Sequence, residues 1–589
     1  MARIRVPGIF YEEQVREQTG IGLGETGVPA FLGVAERGPL NEPTKIRSFE
    51  QYRQVFGVPV EHSFLADAVE GFFKNGGKHC FVIRIAHVFR RGDGELARKA
   101  RYEILDRDGY PAIEVTAASE GAWGNEVILS VAVPETARVR TFLTLDSAEG
   151  AQRATVQSTR GFEPGMLVCL SDGQRQRYVT LSVVRTNELF WKGELDVAFK
   201  SSSPTYIEPV EFELSVRTRR KTERFVNLSL NPGATRNFAR VINSESELIR
   251  VVSLESASPA PLNLPEQVSE IPLRGGRDGL DGITPEDFIG YNNGPDARFG
   301  LGALEPNTEV DLVAAPDLHF ARHFCSGFKS DRDVLAVQVA MLDHCERLGD
   351  RFALLDMPAG LSWEGALDWR LKFESAFGAI YYPWLVLMEK GERKAVPPVG
   401  HLAGVISRCD REDGVHRAPA NVPIEGVVDT AVVLQEGHVA ELNHKGINCI
   451  RPFAVRGIRP WGARTLSHEP AWKFLTTRRI FNAVRRAVFE NTQWVVFETN
   501  GTELRRQVTI AVQDFLRSLW SAGYFKGRDQ DQAFYVLCDE SNNPLEDLDA
   551  GRLLIDIGLA PSRPAEFISL RLEHTVEDRR LGDLSEVEG

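Results

Sequence analysis

The sequence predicts a mixed α/β and α+β multidomain protein, an α/β core interrupted by a β-rich insertion, with an extended strand arm at each end. Three observations predict it. Residues 44–86 read as strand, helix, strand, and a βαβαβ pattern runs from Glu309 to Met388. Between them, over 96–280, short β-rich runs alternate with turn signals such as Asp108-Gly109 and Asp172-Gly173. With 589 residues and 43% hydrophobic content, the chain exceeds what one core sustains. It should divide into roughly three or four domains.

Each element has a local reason. In residues 1–25, an N-terminal arm, Ile4 and Val6 alternate with Arg3 and Arg5, and Pro7-Gly8 ends the run. That is the period-2 signature of a strand with one buried face. Residues 26–95 form the first part of the core, with Phe64, Leu65, Ala68, Val69, Phe72 and Phe73 at helical spacing before the strand Phe81 to Ile85. Residues 96–280 hold strands at Arg140 to Leu145, Met166 to Leu170, Tyr178 to Val184 and Val210 to Val216, which suggest one or two small barrels or sandwiches. The core resumes over 281–395. There Ser330 caps a helix with Asp333 at the capping-box position, Val334, Val337, Met341, Cys345 and Leu348 form its stripe, and Gly349 closes it. The flanking strands are Glu309 to Ala315, Phe352 to Leu355 and, after a helix over 362–377, Trp384 to Met388. A parallel sheet with right-handed crossovers follows from that order.

Residues 396–560 read as a C-terminal α+β domain, with helices over 470–491 and 502–522 and strands at Phe534 to Cys538 and Leu553 to Ile557. In the second helix Leu504, Val508, Ala511, Phe515 and Leu519 share a face, leaving Arg505, Arg506 and Arg517 for the polar side. Residues 561–589 form a C-terminal arm and tail. There Ile568, Leu570 and Leu572 alternate with Ser569, Arg571 and Glu573, beyond Pro561 and Pro564.

Composition narrows the function. The formal net charge is −13, and the longest basic run, Arg217-Thr-Arg-Arg-Lys221, is short. Nucleic acid is therefore not an expected partner, since phosphate neutralisation needs a clustered basic footprint. The N-terminus lacks an apolar signal region and no apolar run reaches a membrane-spanning length, so cytoplasmic assembly without membrane insertion is expected. Seven scattered cysteines read as reduced core thiols.

Candidate chemical motifs each fail a physical requirement. The loop after the first βαβαβ strand, Ala315 to His323, is bulky and glycine-free, whereas phosphate needs close backbone approach at a helix N-terminus. Asn75-Gly-Gly-Lys78 lacks the first glycine and the following Ser/Thr of a phosphate loop. Gly275 to Gly282 offers Asp278 and Asp281 without the remaining calcium ligands, and the His-Cys neighbours (His79/Cys80, His323/Cys325, His344/Cys345) lack zinc spacing. No catalytic, cofactor or metal residue is expected. Each strand-like arm either folds back as an edge strand of its own domain or adds to a neighbour's sheet.

Pro7-Gly-Ile-Phe-Tyr-Glu-Glu13, Val28 to Pro39, Ser48 to Gly57 and Gly121-Ala-Trp-Gly-Asn125 carry a resemblance to phage-type contractile tail sheath proteins. Gly279 to Pro285, Asp350 to Asp356 and Ala403 to Asp410 extend it, as do Arg417 to Asn421, Leu442-Asn443 with Gly446-Ile-Asn448, Trp461 to Leu466, Arg478-Arg479 and Pro564 to Ile568. It implies a non-enzymatic, cofactor-free subunit that stacks in sixfold rings around an inner tube protein and contracts when a baseplate triggers it. Expected partners are further copies of itself, the tube, the baseplate and a terminal cap. The arms carrying Ile4, Val6, Ile568, Leu570 and Leu572 would complete neighbours' sheets, and the insertion would sit outside. The helix over 502–522 either faces the tube through Arg505, Arg506 and Arg517 or presents an ordinary solvated face. Phage tail, R-type bacteriocin and injection system all remain open, the last slightly favoured. A nucleotide-dependent α/β enzyme and a multidomain adhesin are the alternatives from other classes.

Overall fold

The computed structural model describes residues 21–564 apart from 89–94, 135–136, 255, 257, 296, 545 and 547–550. Two compact units emerge: one of residues 23–414 and 419–486, and a smaller one whose described part is mainly 487–564 with 415–418.

The larger unit is organised by one eight-stranded sheet. Its elements are β1 (Pro29–Gly33), β2 (Thr44–Ile46), α1 (Phe49–Phe56), α2 (Leu65–Lys74) and β3 (Cys80–Arg84), and then, beyond the insertion, β4 (Leu312–Ala314). There follow α3 (Leu318–Phe324), α4 (Asp331–Leu348), β5 (Phe352–Asp356), α5 (Trp363–Arg370) and β6 (Gly378–Tyr382). Next come β7 (Leu385–Glu389), β8 (Glu392–Val396), α6 (Val399–Glu412), β9 (Asp429–Thr430), α7 (Glu436–His444), β10 (Ile447–Phe453) and β11 (Gly457–Pro460). The sheet order is β2-β3-β1-β4-β5-β6-β10-β11. All six inner strands run parallel, and β2 and β11 are antiparallel edges.

Burial on both faces explains why these strands are continuous apolar runs and not alternating ones. The pleat sends Leu32, Val313, Leu355 and Ile380 to one core and Phe31, Leu312, Leu354 and Tyr381 to the other. Helix α4 covers the first core with Val334, Val337, Met341 and Cys345. Helices α2 and α6 cover the second with Val69, Phe72, Leu402 and Val405. They cross closely because Gly400 has no side chain: a Cβ there would lie 2.2 Å from the Ala68 Cα. The ends of α4 follow the sequence, with the Ser330/Asp333 capping box formed and Gly349 left-handed at φ 67°.

Four readings need correction. The third parallel strand is β6, not Trp384 to Met388. Pro383 divides one apolar run, sending Gly378–Tyr382 into the large sheet and Leu385–Glu389 into a separate sheet ordered β8-β7-β9. The boundary expected at 395/396 falls inside the core, because β10 pairs in parallel with β6. The helix over 362–377 is only α5, since Ser375 pairs with Leu466 and turns the chain into β6. The helix expected from 470 starts later, as α8 (Leu475–Asn491), because Arg464 forms a bridge with Phe474 just before it.

Two nested β-modules occupy the insertion. The outer one packs a four-stranded against a three-stranded sheet around Ile104, Ile113, Leu129, Leu214 and Phe238. Within it, six strands are ordered Thr141–Phe142, Tyr206–Pro209, Leu167–Ser171, Gln176–Arg185, Glu188–Trp191 and Arg153–Thr155. Thr144 N donates to Thr155 O at 2.9 Å and Gln157 N to Phe142 O at 3.0 Å, closing this set into a barrel filled by Val168, Leu170, Leu181, Leu189 and Ile207. Closure leaves no sheet edge exposed. Arg84, fully buried at the end of β3, fastens the insertion by donating to the carbonyls of Ala35, Gly38 and Glu120 at 2.9–3.1 Å. Burial pulls this guanidinium down to about 10, and Glu120 resists the shift.

Candidate assembly site

An open α/β sheet binds ligands outside the carboxyl ends of its strands, where the strand order reverses. Here the reversal lies between β1 and β4, and Asp317 fills it. Its carboxylate accepts from Val34 N at 2.8 Å, Phe64 N at 2.5 Å and the Ser63 hydroxyl at 3.0 Å. Gly33 permits this, because a Cβ there would stand 2.5 Å from the Asp317 Oδ2. Burial pushes the Asp317 carboxyl up to about 6 against the pull of those donors. The chain's own carboxylate thus takes the amides that would otherwise face a phosphate. Beside it, burial pushes His319 down to about 3, and its ring lies edge-on to Trp384 at 5.3 Å. Among the described residues, no group of three His, Cys, Asp or Glu is placed to hold a metal. All seven cysteines are free and buried.

The smaller unit is built differently. Helix α9 (Thr502–Ser521) buries Leu504, Val508, Val512, Phe515, Leu516 and Leu519. It packs on a two-stranded antiparallel sheet of β12 (Phe534–Leu537), which follows the short α10 (Gln530–Ala533), and β13 (Asp556–Leu559). Phe534 sits opposite Leu559 and Tyr535 opposite Gly558. The Tyr535 ring lies over Gly558, where a Cβ would come within 1.9 Å of it, and the tyrosine is still 61% exposed. Asn543 holds the turn by donating to Leu554 O at 2.9 Å and accepting from Leu554 N at 2.7 Å. Beyond β13, Ser562 N donates to Tyr524 O at 2.9 Å, and the described chain ends two residues later. An isolated two-stranded sheet is marginal in water. The last turn of α8 leaves Phe489 exposed, and its connection to α9 leaves Trp494, Val496 and Phe497 exposed, the last at φ 72°, where a bulky residue is strained.

The predicted residues separate into two groups. Ile4, Val6, Ile568, Leu570 and Leu572 lie outside the described residues. Of the arginines, Arg506 and Arg517 are on the exposed face of α9, paired with Glu503 at 3.0 Å and Asp514 at 2.6 Å. Arg505 is not on the polar side. At 6% exposed it lies in the buried stripe 505-508-512-516-519, whose spacing is as helical as the one read from Ala511. It donates to the Thr502 hydroxyl at 3.3 Å and lies 4.0 Å from Glu540. The second strand runs Asp556–Leu559 and not Leu553 to Ile557, because the Asn543 side chain binds the backbone at Leu554 and delays pairing. Sequence reasoning used Arg479 only for the resemblance and missed that Arg479, Asn482 and Arg486 form a buried polar stripe at helical spacing along α8.

Two family models match in succession, the phage tail sheath protein central domain over residues 305–466 and the phage tail sheath C-terminal domain over 467–575. The chain is 28% identical over 198 residues to the tail sheath protein of Vibrio phage KVP40, covering 33% of this chain and 28% of that protein. It is 30% identical over 187 residues to the tail sheath protein of Escherichia phage P2, covering 31% of this chain and 45% of that one. The matches thus span less than half the length of either relative. The fold is also that of the anti-feeding prophage helical sheath in its contracted state, with a TM-score of 0.51 at 20% identity over 97% of this chain and 100% of that one.

Proposed function

We propose that the chain, which matches the phage tail sheath central and C-terminal domain models over residues 305–575, is the repeating structural subunit of a contractile sheath. In this reading copies stack as sixfold rings around an inner tube, meet a baseplate and a cap, and contract to drive the tube through a target envelope. The particle, whether phage tail, bacteriocin or injection system, assembles in the cytoplasm.

The observation that carries the reading is the two-stranded β12–β13 sheet, followed in sequence by the strand-patterned residues Ile568, Leu570 and Leu572. Strands from neighbouring copies, carrying Ile4 and Val6 or Ile568, Leu570 and Leu572, would widen it by main-chain hydrogen bonds. Each such bond is worth about 0.5–1.5 kcal/mol net, and each buried apolar side chain adds roughly 1.5–3 kcal/mol. One contact is modest, but repetition over every neighbour makes a lattice. Catalysis has no role here, and contraction draws on a second packing of the same subunits. The closed barrel suits an outward decoration, since it offers no edge for pairing. Arg506 and Arg517 are the candidates for a tube-facing surface, with Arg505 serving the fold of its own unit.

Negative-stain electron microscopy of the purified full-length chain tests the proposal. Tubes or stacked rings about a sixfold axis are expected. Persistent monomers at concentrations and ionic strengths that polymerise sheath proteins would contradict it.

A further inference from the structure

Asp311 immediately precedes β4 and is 7% exposed. Its Oδ1 accepts from Val28 N at 2.6 Å, and its Oδ2 accepts from Gly27 N at 3.0 Å and from Arg479 Nη2 at 2.9 Å. Arg479, on α8, also donates through Nη1 to Asp410 Oδ1 at 2.8 Å, and Asp410 belongs to the last turns of α6. Burial opposes the charge on Arg479, yet Asp410 and Asp311 hold its pKa above the ordinary value. Gly27 is at φ +75°, and a Cβ there would lie 2.6 Å from the Ser407 Cα, so the chain passes hard against α6.

Two carboxylates face one guanidinium, so the Gly27 and Val28 amides supply compensation that Arg479 alone cannot. Lifting the chain away at these residues would leave a buried carboxylate short of donors, which is costly. A buried ion network adds little net stability over apolar packing of similar volume. Its contribution here is geometric: it ties three elements distant in sequence to the point where the first residues join the core.

We propose that Asp311 is the positioning residue of the N-terminal arm, fastening its root at Gly27–Val28 to α6 and α8 through Arg479 and Asp410. Force applied to the chain ahead of Gly27 then enters the sheet through β4. This rests on the reading of residues 1–25 as an inter-subunit arm.

Site-resolved hydrogen–deuterium exchange on the full-length protein tests it. In the wild type, the Gly27 and Val28 amides should exchange at least tenfold more slowly than those of Gly22 and Gly24. Asp311→Asn should speed exchange at 27 and 28 at least tenfold, whereas Asp410→Asn, which leaves their acceptor in place, should change it less than twofold. Unchanged protection in Asp311→Asn, or equal loss in both variants, overturns the proposal. Should Asp311→Asn not fold, the wild type decides: equal exchange at 22, 24, 27 and 28 overturns it. Assembly by a protein lacking residues 1–12 would instead remove the arm's inter-subunit role while leaving the exchange pattern intact.

Discussion

In the large sheet β1, β3, β4, β5 and β6 are buried on both faces and hydrogen-bonded on both sides, whereas β12 and β13 pair with each other and leave Tyr535 in solvent. Both are made of ordinary strand formers. The inner strands of the large sheet are paired on both sides, and α2, α4 and α6 cover its faces. The small sheet has four-residue strands that, among the described residues, pair only with each other, and it packs against α9 and α10. If the small sheet takes up strands from neighbouring copies, as proposed, stability and assembly lie in different places, and substitutions should act on them separately.

The sharpest contrast is between a central and a peripheral strand. Leu354→Ala, at 1% exposure in β5, should cost about 2–5 kcal/mol and lower the melting temperature by several degrees. Tyr535→Ala should cost about 0.2–1 kcal/mol, the scale of a cross-strand pair, while reducing the yield of assembled sheath. Equal thermal losses would remove the distinction.

Acid probes the core from inside. Burial pushes His344 and His401 each down to about 4, as it pushes His319 to about 3. Folded protein therefore binds fewer protons at these sites than unfolded chain. Their contribution is complete above about pH 6.5 and lost as pH falls toward 4. Asp317, raised to about 6 by burial, acts in the opposite sense over the same range. Thermal melts of His344→Gln should consequently decline less between pH 6.5 and 4.5 than those of the wild type, by roughly 1–3 kcal/mol. Parallel curves would mean that His344 is protonated without penalty.

The smallest thermal effect belongs to α9. Arg506→Glu and Arg517→Glu each break an exposed pair worth about 0–1 kcal/mol, so melting should barely move. Co-sedimentation with tube protein is the informative assay, and unchanged binding would identify an ordinary solvated face.

What the sequence revealed follows the range of each interaction. Local signals were legible: the Ser330/Asp333 cap, the Gly349 stop and the apolar stripes of α4 and α9 depend on residues a few positions apart. The break at Pro383 was hidden because apolar residues continue on both sides of it. Arg505 was misplaced because two helical stripes one residue apart fit the same composition. The Asp311–Arg479–Asp410 cluster was invisible, since its charges lie 168 and 69 positions apart and meet only through the folded sheet. Small barrels or sandwiches were legible in the short strands and turns of the insertion, but the strands that close the barrel were not: residues 141–144 pair both with 155–157 and with 205–207.

In the proposed assembly the core folds alone and strands exchanged between copies build the polymer. Electron microscopy paired with thermal melting, on the full-length chain, a variant lacking residues 1–12 and Leu570→Pro, tests it most directly. The full-length chain should form tubes, while both variants should melt at the same temperature as the wild-type subunit and remain monomeric. Tubes from either variant would contradict strand exchange, and a variant that fails to fold would show that its arm belongs to its own domain.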